Sequence, residues 1–130
     1  MSNLGRNGRR VDVRKELGRK AEQAACEHLL KQGFAIVERN WRCRTGEIDI
    51  IASNGKLLII VEVRSRSQQA AAFGTPAESV TPRKIKQVRD TAAVYLHRTG
   101  QSAANIRFDV VAVTFGSGEG FVLEHIQAAF

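Results

Sequence analysis

Two carboxylates, Asp49 and Glu62, are the residues of this sequence best placed to do chemistry. They lie in two apolar stretches, GEIDIIAS and KLLIIVEVR, and the Asn54-Gly55 pair between them is a strong signal for a β-hairpin. A two-residue type I′ turn would place Glu47 opposite Glu62, and Asp49 would then be the diagonal neighbour of Glu62 on the same face. A four-residue loop would preserve this arrangement, whereas a three-residue loop or a β-bulge would destroy it.

The cost of burial makes this carboxylate pair a candidate site. The opposite face of the hairpin is wholly apolar and is expected to be core: Ile48, Ile50, Ile59, Val61 and Val63. Apolar residues also share the carboxylate face, so the two acids cost several kcal/mol unless a cation or hydrogen-bond donors accompany them. Oxygen ligands favour Mg²⁺ or Mn²⁺, and Glu22, at the border of an apolar helical stripe, could add a third oxygen. The alternative is an ion pair between Glu62 and Arg64 or Arg66 at a wet sheet edge.

An acidic residue on the first helix, followed by GEIDII and then VEVR, resembles the PD-(D/E)xK nuclease superfamily. More specifically, the sequence from about Leu17 onward resembles the YraN-like family of uncharacterised bacterial proteins, which are similar in fold to archaeal Holliday-junction resolvases. The resemblance rests on these stretches: RNWRCRTGEIDII, IIVEVRSRS, TPRKIKQVRDTAAVYL, RFDVVAV and HIQAAF. It implies that Glu22, Asp49 and Glu62 associate with the metal. It also implies that Asp49, Glu62 and Arg64 are catalytic.

Arg64 is a departure from the superfamily pattern, which has a lysine at this position, although arginine also occurs there within the family. A lysine there is thought to orient or deprotonate the attacking water. Arginine stays charged and can stabilise an oxyanion, but it cannot act as a base. Two functions therefore stay open: a metal-dependent endonuclease acting on DNA, and a catalytically weak or inactive DNA-binding module of nuclease descent. A third interpretation is a structural or protein-interaction domain whose carboxylates are merely ion-paired.

The charge balance favours a polyanionic partner. Twenty Lys and Arg residues against thirteen Asp and Glu give a net charge of +7, which suits nucleic acid or an acidic membrane surface. Phosphate contacts are predicted for Arg64, Arg66, Arg83 and Lys84, with an ordinary solvated helix face as the alternative. The two-fold symmetry of a DNA junction would suit a homodimer. No secretory signal or membrane span is evident, so we expect a cytoplasmic protein that does not bind membranes.

The spacing of the apolar residues and the positions of turn and capping residues predict the elements that position these residues. Residues 1–13 are predicted to form a flexible basic arm, and residues 14–130 a single domain. A helix from Arg14 to Gln32 is followed by three strands, a loop over residues 65–79, a helix that begins with Thr81-Pro82, and two further strands. The order α-β-β-β-α-β-β predicts an α/β fold with a mixed five-stranded sheet flanked by helices, as in the restriction-endonuclease-like core that the resemblance implies. Asp109 is expected to pair with Arg107, and the histidines to be structural.

Overall fold

A mixed five-stranded sheet with one helix on each face forms the fold, as seen in a computed structural model that describes residues 2–68, 80–118 and 120–130, with side chains from Val13 onward. The elements in chain order are α1 (Ser2–Lys31), β1 (Ala35–Cys43), β2 (Gly46–Ser53), β3 (Leu58–Ser67), α2 (Pro82–Arg98), β4 (Ile106–Phe115) and β5 (Phe121–Ile126). This is the predicted order, so the α/β fold class is confirmed. Within the described residues, no helix is long and apolar enough to cross a membrane.

The sheet has the spatial order β1-β2-β3-β4-β5. Strands β1, β2 and β3 form an antiparallel meander, and β5 pairs antiparallel with β4. Strands β3 and β4 are parallel, because the chain returns through α2 before it enters β4. The central strand β3 is apolar on both faces over Leu58–Val61, as expected for a strand covered by a helix on either side.

Each helix covers its own apolar core. Helix α1 packs Ala21, Ala25 and Leu29 onto one face of the sheet, and α2 packs Val88 and Ala92 onto the other. Both cores contain fully buried β-branched side chains of β2 and β3. A polar group on the central strands of the sheet is therefore shielded from water on both faces.

The ends of the helices agree only in part with the prediction. Helix α1 ends at Lys31, and Gly33 takes the positive φ of 92° that terminates a helix readily. The helix begins at Ser2, inside the segment predicted to be an arm, and the division at residue 13 stays a prediction. Strand β3 continues to Ser67, so the loop predicted from residue 65 starts later. Its residues 69–79 lie outside the described part of the chain.

The loop of the β2–β3 hairpin differs from the prediction. Ser53 pairs with Leu58, so the loop has four residues and the predicted two-residue type I′ turn is wrong. The reason is the side chain of Asn54, whose Oδ1 accepts the backbone N–H groups of Lys56 at 3.0 Å and Leu57 at 2.8 Å. Both donors are thereby satisfied within the loop. The pairing moves by two residues, which preserves the parity of the strands.

Candidate active site

The pairing of β2 with β3 ends immediately before the two predicted carboxylates. The last pair is Ile50 with Val61, and continuing this register would set Asp49 opposite Glu62. Instead, the Oδ2 atom of Asp49 accepts the backbone N–H of Val63 at 2.8 Å. A side-chain carboxylate thus takes the place of a ladder carbonyl, while β3 stays paired with β4 as far as Ser67. The site lies where one strand pair stops and the other continues.

The alternation of β2 is interrupted at Asp49. Ile48 and Ile50 are two residues apart, yet Ile50 packs in the α1 core and Ile48 in the α2 core. The prediction that they share a face is wrong. In the neighbouring strand Asn40 takes a φ of 52° between the residues that pair with Ile50 and Ile48, so both strands rotate at the same level. A backbone distortion, which periodicity does not report, therefore orients Asp49.

Asp49 lines a cleft of about 830 Å³ on the α1 side of the sheet. Its charged and polar lining from α1 and the neighbouring strands is Lys15, Glu16, Arg19, Glu22, Asn40 and Arg42. Some of these charges are paired within the chain, as in the contacts Arg19–Glu16 and Arg42–Glu47. The cleft therefore places charged side chains of α1 and β1 around the carboxylate of Asp49.

Glu62 faces the other helix, α2, whereas Asp49 lines the cleft on the α1 side, so the two carboxylates do not share one face as predicted. Glu62 is almost completely buried, with 2% of its side chain exposed. Its Oε1 atom lies 3.3 Å from Nζ of Lys84, at the start of α2. Its Oε2 atom is buried and has no hydrogen-bond partner among the described residues. One carboxylate oxygen is thus held by a cation, and the other has no partner in the part of the chain that the structure describes.

The two carboxylates perturb the protonation of the site. Burial raises the pKa of Glu62 to about 7, and the charge of Asp49 acts in the same direction, whereas Lys84 opposes both. Burial also raises the pKa of Asp49, against the hydrogen bond from Val63. Desolvation and like charge both disfavour the ionised forms. A cation bound between the two acids would therefore be favoured by the charge it neutralises.

Glu22, the third predicted ligand, lies in the same cleft as Asp49 but is held by other residues. Its Oε1 atom accepts hydrogen bonds from Arg39 at 3.1 Å and from Asn40 at 2.8 Å. Its charge contributes to the raised pKa of Asp49. No group of three or more His, Cys, Asp or Glu side chains is arranged to hold a metal ion in the described part of the chain. Metal binding by Glu22, Asp49 and Glu62 stays a prediction.

The predicted basic residues are found in different settings. Val61 and Val63 point into the α1 core, so alternation places Arg64 on the α2 face with Glu62, whose pKa it lowers. The Nε atom of Arg64 is buried without a hydrogen-bond partner among the described residues. Arg66 donates from Nε to the hydroxyl of Thr114 at 3.2 Å. Two further predicted contacts lie at the start of α2: Arg83, which is exposed, and Lys84.

Comparison with known proteins shows the family of this chain. Residues 21–113 match the uncharacterised protein family UPF0102. The chain belongs to this family. It is 39% identical to a UPF0102 protein of Acidothermus cellulolyticus, over 92% of this chain and 97% of that protein. It is 45% identical to a UPF0102 protein of Pelotomaculum thermopropionicum, over 92% of this chain and 99% of that protein, and 42% identical to one of Geobacter sulfurreducens, over 89% of each. The resemblance to the YraN-like family is therefore confirmed.

A second buried charged cluster in this UPF0102 protein surrounds Asp109, which is fully buried. Its carboxylate accepts two hydrogen bonds from Arg107, both at 2.8 Å, and one from the backbone of Ala128 at 3.0 Å. Nε2 of His125 lies 2.7 Å from the same carboxylate, and Nδ1 of His125 lies 3.0 Å from Nε2 of His28. Burial acts to raise the pKa of Asp109, but the bonds from His125 and Arg107 bring it down to about 2.

This cluster ties the C-terminal strand to the rest of the sheet. The predicted pair between Asp109 and Arg107 is confirmed, since a separation of two residues places both on one face of a strand. The sequence offered no comparable signal for His28 and His125, because these residues come from α1 and β5 and are 97 positions apart. We therefore assign the cluster to stability, apart from the site at Asp49 and Glu62.

Proposed function

We propose that this UPF0102 protein is a divalent-metal-dependent endonuclease that hydrolyses phosphodiester bonds in DNA. The observation that carries the proposal is the pair formed by the half-buried Asp49 and the buried Glu62 at the end of the β2–β3 ladder. Burial raises the pKa of both acids, and the charge of Asp49 raises that of Glu62 further, so the ionised pair destabilises the fold unless a cation accompanies it. The resemblance of GEIDII and VEVR to the PD-(D/E)xK nucleases supports a catalytic reason for this arrangement.

The donor set fits Mg²⁺ or Mn²⁺. Such an ion is commonly held by one or two carboxylates and keeps several of its waters, so Asp49 and Glu62 suffice as ligands from the chain. Oε2 of Glu62 is the buried oxygen without a partner among the described residues. Oε1 of Glu22 accepts from Arg39 and Asn40, so Glu22 would offer its other oxygen, Oε2, to an ion. When bound, the ion would neutralise charge on the phosphodiester and make nearby water more acidic.

The proposed reaction is hydrolysis. The oxygen of a water molecule forms a bond to phosphorus, and one ester bond between phosphorus and oxygen breaks. The water gives up a proton to the solvent, and the leaving oxygen takes one up. Asp49 and Glu62 would hold the ion, while Arg64 and Lys84 would supply positive charge for the phosphate, on whose oxygens the negative charge of the transition state develops.

Charge and composition support a DNA backbone as the substrate. The net charge of +7 favours a polyanion, and the cleft at Asp49 presents Lys15, Arg19 and Arg42. Only 6% of the residues are aromatic, which suits contact with phosphates rather than stacking of bases. We place this activity in the cytoplasm.

Cleavage of a panel of linear, nicked and four-way-junction DNA, with Mg²⁺ or Mn²⁺, tests the proposal. The wild type should give products only with the metal, and Asp49→Asn and Glu62→Gln should each reduce the rate by about 100-fold or more. Glu27→Gln is the matched control, since Glu27 is exposed on the outer side of α1. Equal cleavage by Asp49→Asn and the wild type would contradict the assignment of the site.

A DNA-binding module without hydrolytic activity is the second candidate. One observation favours it: Arg64 lies two residues after Glu62. A general base at this position would have to lose its proton, and arginine stays protonated. This candidate predicts DNA binding that weakens steeply with salt and no metal-dependent product. Metal-dependent cleavage that disappears in Glu62→Gln would exclude it.

A further inference from the structure

Lys84 is a cation that contacts Glu62 and acts electrostatically on Asp49. Its Nζ atom is 3.3 Å from Oε1 of Glu62, and its charge lowers the pKa of Asp49 as well as that of Glu62. The side chain is 31% exposed, in contrast to 2% for Glu62. The ammonium group therefore reaches the buried Glu62 from α2 while it stays partly accessible to solvent.

The start of α2 holds this lysine in place. Thr81 is the N-cap, its hydroxyl accepts the backbone N–H of Lys84 at 3.2 Å, and Pro82 is the first residue of the helix. Val88, one turn further, is fully buried in the core beneath α2. A cation in the first turn opposes the helix dipole, so Glu62 compensates for an otherwise unfavourable position.

Arg64 cannot do what a lysine does at this site. Arginine is a planar group that binds phosphate well but stays fully protonated, and the Nε atom of Arg64 is buried without a partner among the described residues. A lysine ammonium is compact, sits on a flexible stem and has three donors. The contact of Lys84 with Glu62 uses one of these donors.

We infer that Lys84, delivered by α2, replaces the lysine that the motif lacks at Arg64, and that it positions the attacking water beside Asp49 and Glu62. The inference rests on the proposed endonuclease function. Arg64 then contributes positive charge to the phosphate. In the superfamily pattern one lysine of β3 would supply this charge and position the water, whereas here Arg64 of β3 and Lys84 of α2 share these two roles.

A lysine exchange tests the inference. Metal-dependent cleavage is measured for the wild type, Lys84→Ala, Lys84→Arg, Arg64→Lys and the double variant Lys84→Ala/Arg64→Lys. Lys84→Ala and Lys84→Arg should each lose about 100-fold in rate. The double variant should regain at least about a tenth of the wild-type rate, since it has a lysine at the motif position. Lys86→Ala is the matched control, because Lys86 is exposed and pairs with Asp90 on the same helix.

The outcomes separate this inference from the function on which it rests. Rescue in the double variant supports the inference, since a merely structural lysine on α2 would not be replaced from β3. Full activity of Lys84→Ala or Lys84→Arg, or failure of the double variant to regain activity, would overturn it while the endonuclease assignment stands. If the wild type cleaves no DNA of the panel, both fall. Urea denaturation of each variant verifies that the fold is intact.

Discussion

Replacement of Glu62 by glutamine should stabilise the fold, and the gain should grow with pH. Burial raises the pKa of Glu62 to about 7 from an ordinary value of 4.5. Between these values the folded protein holds a proton that the unfolded chain releases, so wild-type stability falls as the pH rises through this window. Since one pH unit is worth about 1.4 kcal/mol, the ionic penalty is about 3 kcal/mol at pH 8 and less than about 1 kcal/mol at pH 5.

Urea denaturation of the metal-free protein, with a chelator present, measures this effect. The free energy of unfolding of Glu62→Gln minus that of the wild type should increase by about 2 kcal/mol between pH 5 and pH 8. Glu27→Gln, which changes an exposed carboxylate, should show no such increase. A difference that is the same at both pH values would refute the argument that an ionised Glu62 is costly in the fold.

The remaining predictions concern the second cluster, the helix cap and the substrate. Asp109→Asn should cost about 3 kcal/mol or more at pH 7, because Arg107 and His125 lose a buried charged acceptor, and urea denaturation measures the loss. The pKa of Asp109 is about 2, below the ordinary 3.8, so the stabilisation by its ionised carboxylate is present above about pH 4 and disappears as the pH falls towards 2. A difference in unfolding free energy between the wild type and Asp109→Asn that is the same at all these pH values would contradict this. Thr81→Ala should remove the cap of Lys84 and about 1 kcal/mol of stability, and unchanged denaturation would argue against the cap. DNA binding by the wild type, measured by titration, should weaken steeply with salt, and salt-insensitive binding would exclude phosphate contacts.

Short-range patterns explain the parts of the fold that could be predicted. Strand β2 coincides with the predicted stretch GEIDIIAS, since an apolar run between turn residues indicates burial directly. Helix α2 begins at Pro82 after the Thr81 cap, and Gly100, with a φ of 68°, follows its end. These features depend on the backbone preferences of a few neighbouring residues, so they can be predicted from the sequence.

The hairpin shows where such patterns stop. Parity alone brings Asp49 and Glu62 to the same end of the hairpin for either loop length, so their proximity follows from the sequence. The register itself depends on the side chain of Asn54, which binds two donors in the loop. The rotation of β2 occurs at the level of Asn40, whose φ is positive, in the adjoining strand. The first follows from hydrogen bonds within the loop and the second from the backbone conformation, and residue spacing reports neither.

The sequence by itself determined which residues carry charge, which faces are apolar and which two acids lie close together. Tertiary structure decided which residues the acids of the site contact: Lys84 contacts Glu62, and Arg39 and Asn40 contact Glu22. The physical reason is that spacing orders side chains only within one helix or hairpin. Contacts between α1, α2 and the sheet depend on how the two apolar cores pack, and this packing delivers the lysine of α2 to the carboxylates of the hairpin.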